Sequence, residues 1–172
     1  NEVCAAFASV SVADAPIGDA SAGRGFKGTF DGQNYTVEFW SADDAQWYRA
    51  LFGYAAKGAT IRNVTVTGSI DGVSVIAGIC ARAENCLIES CRNCADIGGS
   101  SQESGGIVAM ARAATVRNCV NTGIVQSSSW CGGIVGYAQN SATVDDCINI
   151  GKVTGATFVG GIVGYTEPKC TV

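Results

Sequence analysis

The sequence of 172 residues contains no histidine. Histidine is the usual general base for serine and cysteine nucleophiles and a common ligand of zinc and haem. Its absence therefore excludes Ser–His and Cys–His catalysis, His-ligated zinc and the attachment of a c-type haem. We expect neither a metal nor another cofactor.

Charged residues are also scarce, at 15% of the chain, and the net charge is −4. The 11 Lys and Arg are scattered along the sequence. Because nucleic-acid binding normally needs a basic face, we expect no nucleic-acid partner. No apolar run approaches the ~20 residues of a membrane-spanning helix, so we expect no membrane span.

The residues that are abundant indicate a β-rich secreted protein. Apolar residues reach 47% and glycine 23 residues, which is too apolar for disorder and typical of a Gly-rich all-β domain. Nine cysteines favour an oxidising compartment, so we expect an extracellular or cell-surface location and disulfide support. The odd number leaves at least one thiol free or paired between chains.

A repeated hexapeptide organises the sequence. GGIVGY occurs at residues 132–137 and again at 160–165, weaker copies occupy residues 105–110 and 77–82, and the first copy is residues 50–54. The central apolar residues of the copies recur at a nearly constant step of about 28 residues, which indicates a repeat architecture. These central residues are Leu51, Ile79, Ile107, Ile134 and Ile162.

A second block keeps the same period and predicts the fold. It begins at Ile61, Ile88, Val116 and Val144, with a small residue seven positions later and an aliphatic residue nine positions later. Each apolar block is short, β-branched and bounded by Gly, Asn or Ser, which favours strands. We predict an all-β parallel β-helix, or β-solenoid, of about five coils over residues 50–172, stacked at the strand spacing of ~4.8 Å. A stack of hairpin-like units is the alternative.

Residues 1–49 are predicted to be a lead-in segment that caps the array, because a repeat protein must cover its terminal apolar face. Residues 26–40 predict a turn and a strand. Residues 41–49 predict a short helix or an insertion loop, with Ser41 as the helix N-cap.

These blocks resemble the GLUG-motif repeats of bacterial surface proteins. That family reads roughly G-L-F-G, then I-x-N-C/L, then G-x-V in each unit. The lead-in resembles the P-I-G … F-x-G-T-F-D-G segment that often opens such arrays, through residues 15–18 and 26–37. The resemblance covers residues 15–172. It implies a solenoid that occurs beside adhesins or as an accessory region of surface proteases, with no chemistry of its own.

Three cysteines share one repeat position, at Cys91, Cys119 and Cys147, where the first copy has Val64. The valine indicates an inward, apolar position, and we expect a core ladder of these cysteines together with Ile79, Ile107, Ile134 and Ile162. The alternative is disulfide bonding between neighbouring coils, at a Cα spacing that a disulfide tolerates. The Cys91–Cys94 C-x-x-C motif lacks the second pair of a zinc site and the strand-to-helix turn of a redox site.

Other cysteines are candidates for disulfides or assembly, namely Cys4, Cys94, Cys131 and Cys170. Val172 lies one repeat period after Val144, so we expect the chain to stop inside an unfinished coil with an unpaired edge. The segment from Asn1 to Cys4 roughly imitates the missing continuation. We therefore predict head-to-tail stacking of subunits through Asn1–Cys4 and Cys170–Val172 by strand addition. The alternative is a boundary that was cut there.

Two further groups of side chains are candidates for recognition. Asparagines cluster at the bend of the second block, where an amide ladder can satisfy backbone groups or a polar groove can bind a ligand; they are Asn63, Asn93, Asn118, Asn121 and Asn149. Trp40, Trp47 and Trp130 lie off the apolar columns, where aromatic rings either stack on sugars and anchor partners or pack over loops.

The sequence predicts a non-catalytic extracellular structural or adhesive module of a bacterial surface protein, with self-stacking into a filament as one form. The second prediction is a module that binds a host or environmental glycan or protein through loop aromatics. The third prediction is a polysaccharide-active enzyme. It is disfavoured because the sequence lacks histidine and shows no convergent pair of carboxylates.

Overall fold

The computed structural model describes residues 12–13, 16–18, 23–41 and 47–172. Within these ranges the chain forms strands and turns without a helix, and every strand pairing is parallel. The lead-in contributes β1 (Val12–Ala13), β2 (Thr29–Ser41) and β3 (Tyr48–Arg49). The first coil contains β4 (Phe52–Ala55), β5 (Thr60–Gly72) and β6 (Val75–Ala77).

The following coils each contain five short strands. The second coil consists of β7 (Cys80–Glu84), β8 (Leu87–Glu89), β9 (Arg92–Asn93), β10 (Asp96–Gly99) and β11 (Glu103–Gly105). The third consists of β12 (Val108–Arg112), β13 (Thr115–Arg117), β14 (Val120–Asn121), β15 (Val125–Ser127) and β16 (Trp130–Gly132). The fourth consists of β17 (Val135–Gln139), β18 (Thr143–Asp145), β19 (Ile148–Asn149), β20 (Val153–Gly155) and β21 (Val159–Gly160), and β22 (Val163–Thr166) begins the fifth.

Stacking of the coils produces three sheets. One sheet joins the strands of the second block and the lead-in strand β2, which pairs along β5. The other two are five-stranded, β3-β6-β11-β16-β21 and β4-β7-β12-β17-β22. Strand partners in the last sheet lie one repeat period apart, as in Val108 with Cys80 and with Val135. The prediction of a parallel β-solenoid of about five coils with this period is therefore confirmed.

The core fills the interior of the coils with the predicted columns. Ile79, Ile107 and Ile134 are fully buried, as are Cys91 and Cys119. Ile162 and Cys147 occupy the same columns in the last coils and are half-buried. The cysteine ladder consists of free thiols, so its members pack as small apolar side chains instead of forming disulfides with one another.

The residue before each member of the cysteine column, which is Asn63, Ser90, Asn118 or Asp146, forms a tight turn. Asn63, Ser90, Asn118 and Asp146 all have left-handed backbone, with φ between 47° and 54°. Asn and Asp tolerate this conformation better than other non-glycine residues. The turn directs the next side chain into the core, where the Cys119 thiol donates to the Arg117 carbonyl at 3.2 Å.

A second turn is held by a ladder of buried asparagines. The Asn93 amide nitrogen donates to the Asn121 carbonyl oxygen at 2.8 Å, and Asn121 donates to Asn149 at the same distance. Asn121 also donates to the Gly123 carbonyl at 2.9 Å. Of the five candidate asparagines, three therefore form the expected backbone-satisfying ladder, and they leave no polar groove for a ligand because Asn93 and Asn121 are fully buried.

The glycines of the hexapeptide make room for this ladder. A Cβ on Gly106 would lie 2.4 Å from Cγ of Asn121 and 2.2 Å from the Gly133 carbonyl oxygen. A Cβ on Gly133 would lie 2.3 Å from Cγ of Asn149. The two sequence blocks are therefore coupled across the interior, since the glycine of one gives space to the asparagine of the other.

Charges alternate in sign along one outer column of the large sheet. The strand register places Asp31, Arg62, Glu89, Arg117 and Asp145 side by side in consecutive layers. Arg62 lies 3.0 Å from Asp31, and Arg117 lies 2.7 Å from Glu89. Such cross-strand pairs contribute roughly 0.2–1 kcal/mol each and support the order of the coils.

The lead-in differs in part from the expectation. Ser41 ends β2, and Tyr48 and Arg49 form β3, so these positions of the predicted helix are strands; residues 42–46 lie outside the described ranges. Strand pairing with β6 decides the conformation of residues 48–49, which a local helix signal cannot anticipate. The described residues contain no helix long and apolar enough to cross a membrane.

Candidate binding surface

Two rows of side chains run along the outside of the solenoid where the two five-stranded sheets meet. They lie outside the main core, and one of their members, Val75, is itself buried in a small separate apolar cluster with Ala81 and Ala109. We call the two rows together the outer strip. The first row is Tyr48, Val75, Glu103, Trp130 and Phe158, and the second is Tyr54, Arg82, Met110, Tyr137 and Tyr165.

Four aromatic rings occupy one end of the outer strip. The centroid of Trp130 on β16 lies 5.0 Å from that of Tyr137 on β17, and the centroid of Phe158 lies 5.2 Å from that of Tyr165 on β22, one repeat period later. Tyr137 and Tyr165 stack across the coils at 5.5 Å, and Trp130 lies 6.4 Å from both Phe158 and Tyr165. We call these four residues the aromatic cluster.

The aromatic cluster is open to solvent. Phe158 is 52% exposed and Tyr165 38%, while Trp130 and Tyr137 are half-buried. Clusters of large apolar side chains at the protein surface are typical of contact surfaces.

A carboxylate orders one ring of the cluster. The Tyr137 hydroxyl donates to Oε1 of Glu167 at 2.5 Å, and the Asn140 backbone amide donates to Oε2 at 3.3 Å. The hydrogen bond to Glu167, together with burial, raises the pKa of Tyr137 to about 12. The phenol therefore remains a neutral donor at physiological pH, and its ring is fixed beside Trp130.

A second carboxylate, that of Glu103, lies next to Trp130, and few hydrogen-bond donors stabilise its negative charge. Glu103 pairs in register with Trp130 on one side and with Val75 on the other, and it is only 7% exposed. Burial raises the pKa of this carboxyl, and within the described part of the chain its one hydrogen bond is to its own backbone amide. An ionised carboxylate in such surroundings is an acceptor without a strong donor.

The other end of the outer strip is closed by its own contacts. The Arg82 guanidinium lies over the Tyr54 ring, 5.2 Å from its centroid. Glu84 accepts from Nη2 of Arg82 at 2.8 Å and from the Tyr54 hydroxyl at 3.2 Å. This end pairs its charges internally, whereas the aromatic end leaves ring faces exposed, and the buried Glu103 beside it has no ion pair within the described residues.

The three predicted tryptophans have different surroundings. Trp130 lies at the centre of the aromatic cluster, whereas Trp40 and Trp47 are 52% and 63% exposed and contact no other ring within the described residues. Sequence reasoning missed Tyr137, Tyr165, Phe158 and Glu103. The three aromatic residues had a signal in the constant spacing, seven positions between the two rows and one repeat period along each row, which joins Trp130 to Tyr137 and Phe158 to Tyr165.

The structure describes three of the four remaining cysteine candidates, Cys94, Cys131 and Cys170. Cys131 is buried and Cys170 half-buried, and both are free thiols. Cys94 is not among the free thiols, and Cys4 lies outside the described residues, as does the whole segment from Asn1 to Cys4. Stacking through these segments stays a prediction.

Two further findings concern metal ions and related proteins. In the described ranges no group of three or more His, Cys, Asp or Glu side chains is arranged to hold a metal ion. The chain matches no family model, and no curated protein or solved structure is significantly similar to it.

Proposed function

We propose that this chain is a non-catalytic, extracellular structural and adhesive module of a bacterial surface protein, and that it makes contact through the aromatic cluster. The observation that carries the proposal is a cluster of four aromatic rings, two exposed and two half-buried, on the outside of a solenoid whose interior is filled by packing side chains. The composition, the nine cysteines and the resemblance to GLUG-motif repeats support the surface location.

The coil architecture suits such a role because it supplies stiffness. Each coil is bonded to the next by parallel ladders, by the asparagine ladder and by alternating charges. A stack of this kind holds a surface patch at a fixed distance and orientation, since each repeat is bound along its whole length to its neighbours.

The experiment is a retention assay with beads that carry the purified chain. Beads are passed over immobilised mucin, plant cell-wall material and extracellular-matrix protein under flow. We expect retention on at least one of these surfaces, reduced about tenfold or more by Trp130→Ala, in line with loss of a central aromatic anchor. Trp40→Ala is the matched control, because it removes an exposed tryptophan outside the cluster.

Retention no higher than that of uncoated beads, or equal loss with both tryptophan variants, would count against the proposal. Self-stacking is tested separately by negative-stain electron microscopy with and without reductant. Long filaments that dissociate under reductant would support head-to-tail assembly through cysteines, whereas short single rods at high concentration would contradict it for the isolated chain.

A further inference from the structure

We infer that the ligand of the outer strip is a neutral oligosaccharide, which stacks on the aromatic cluster and donates a hydroxyl hydrogen bond to Glu103. The inference rests on the proposed function and specifies its ligand class. It requires a ligand with two properties at once, a flat apolar face for the rings and hydrogen-bond donors at its edge.

The rings define the first property. Trp130 with Tyr137 and Phe158 with Tyr165 form two pairs one repeat period apart, with centroid distances between the pairs of 5.5 Å for the two tyrosines and 6.4 Å for Trp130 and Phe158. Two adjacent stacking positions along the solenoid axis suit a chain of rings better than a single small molecule. A pyranose presents C–H groups on its face, and aromatic faces carry the complementary partial negative charge.

Glu103 defines the second property. It is more than nine-tenths buried and lies one coil from Trp130 in the same row. A carboxylate accepts hydrogen bonds and cannot donate them when ionised, so the ligand must supply the donor. A hydroxyl at the edge of a sugar stacked on Trp130 meets that requirement, and binding sites typically combine an apolar lining with a few such polar groups.

The charges at the aromatic end favour a neutral sugar over an acidic one. Arg82 and Arg112 are paired with Glu84 at 2.8 and 4.0 Å, so they offer an acidic sugar no free cation. An acidic saccharide would place its carboxylates near Glu103 and Glu167, where like charges repel. The glucosamine hexamer in the titration represents the cationic alternative, which would place its ammonium groups at Glu103.

The test measures binding of defined oligosaccharides to the full chain by isothermal titration calorimetry. The probes are hexasaccharides of β-1,4-linked glucose, mannose and N-acetylglucosamine as neutral sugars, with glucosamine and galacturonate hexamers as the cationic and acidic counterparts. We expect at least one neutral hexamer to bind and both charged hexamers to bind at least tenfold more weakly.

Three substitutions assign the contacts. Trp130→Ala should weaken the neutral hexamer about tenfold or more, and Trp130→Phe should restore part of that loss because it keeps a ring. Glu103→Gln should weaken it several-fold, because a neutral acceptor forms a weaker hydrogen bond than a carboxylate. Trp40→Ala should leave binding unchanged, and far-ultraviolet circular dichroism verifies that all variants keep the β fold.

The possible results separate the two proposals. Binding of the glucosamine hexamer alone, abolished by Glu103→Gln, would overturn the neutral-sugar inference in favour of an ammonium ligand. Binding of no hexamer, with Trp130-dependent bead retention intact, would overturn the saccharide and leave the adhesive function standing with a protein as its ligand. Absence of both hexamer binding and bead retention would overturn both.

Discussion

The buried asparagine ladder and the outer strip occupy the same coils but differ in how the sequence repeats. On the ladder the residue is the same in three coils, at Asn93, Asn121 and Asn149. On the first row of the strip it changes at every coil, from Val75 to Glu103 to Trp130. Both positions recur once per coil, so the period alone does not distinguish them.

The difference arises from what each position must satisfy. A buried amide must donate to the next coil and to its own turn, and only an identical neighbour at the strand spacing offers the matching group. An outward side chain meets solvent on one side and tolerates many residues. In this solenoid the repeated buried positions therefore carry the structure, and the candidates for recognition are outward positions, some that depart from the repeat, such as Trp130, and some that keep it, such as Tyr137 and Tyr165.

The largest effect is expected from breaking the ladder at its centre. Asn121→Ala removes the donor to the Gly123 carbonyl and to Asn149, and the acceptor for Asn93. Each buried partner left unsatisfied costs about 1–3 kcal/mol, so the free energy of unfolding in urea should fall by about 4 kcal/mol. Asn140→Gly is the control, since this asparagine is exposed and keeps its left-handed backbone with glycine. A loss below about 1 kcal/mol for Asn121→Ala would contradict the structural role of the ladder.

The next effect tests the coupling between the two sequence blocks. Gly106→Ala places a Cβ against the Gly133 carbonyl and Asn121, and should lower the free energy of unfolding by about 3 kcal/mol. The same substitution at Gly161, which has no atom within 4 Å of the added Cβ, should change it by less than about 0.5 kcal/mol. In the double variant Gly106→Ala/Asn121→Ala, the loss of unfolding free energy should be smaller than the sum of the losses in the two single variants. The shortened side chain at position 121 relieves part of the clash. Full additivity would show that the clash with Asn121 is not the cause.

A smaller difference separates two adjacent residues on β16. Cys131 points into the core, and burial raises the pKa of its thiol to about 11, whereas Trp130 faces the outer strip. At pH 8 the Cys131 thiol should resist alkylation by iodoacetamide in the native protein and react after unfolding, with peptide mass spectrometry as the readout. Trp130 fluorescence, isolated in a Trp40→Phe/Trp47→Phe background, should be quenched by acrylamide in the native state. Rapid native alkylation of Cys131 would contradict the inward assignment.

The smallest effect concerns the pH dependence of stability at Glu103. Burial raises the pKa of this carboxyl in the folded chain above its ordinary value of 4.5. A carboxyl whose pKa is raised by folding contributes its full stabilisation when the pH is below its pKa in the unfolded chain. That stabilisation is lost as the pH rises through its pKa in the folded chain. Glu103→Gln should therefore raise the melting temperature by a few degrees at pH 7 and by less at pH 4, given about 2–4 °C per kcal/mol at this size. An equal shift at both values would show that ionisation is not the cause.

The fold was largely predictable because it repeats. The apolar and small residues that recur with one period predicted the coils. The buried state of Cys91 and Cys119 followed from the valine that shares their position. The candidate surface was less predictable. Trp130 was identified as an outlying aromatic, but its partner Tyr137 was hidden inside the hexapeptide that marks the repeat, where it read as part of the structural pattern. Glu103 carried no local signal at all.

The sequence by itself determined the parallel solenoid and its period, since hydrophobic columns that recur at one spacing can all be buried only by stacking. It also determined which side chains fill the interior. Only the tertiary structure decided which outward residues meet, because those contacts join side chains seven residues or one repeat period apart, some of them on two different sheets, and the course of the chain between the sheets sets which of them meet. It brought Trp130, Tyr137, Phe158 and Tyr165 together, left Trp40 and Trp47 apart, and placed Glu103 where no other side chain of the described ranges compensates it.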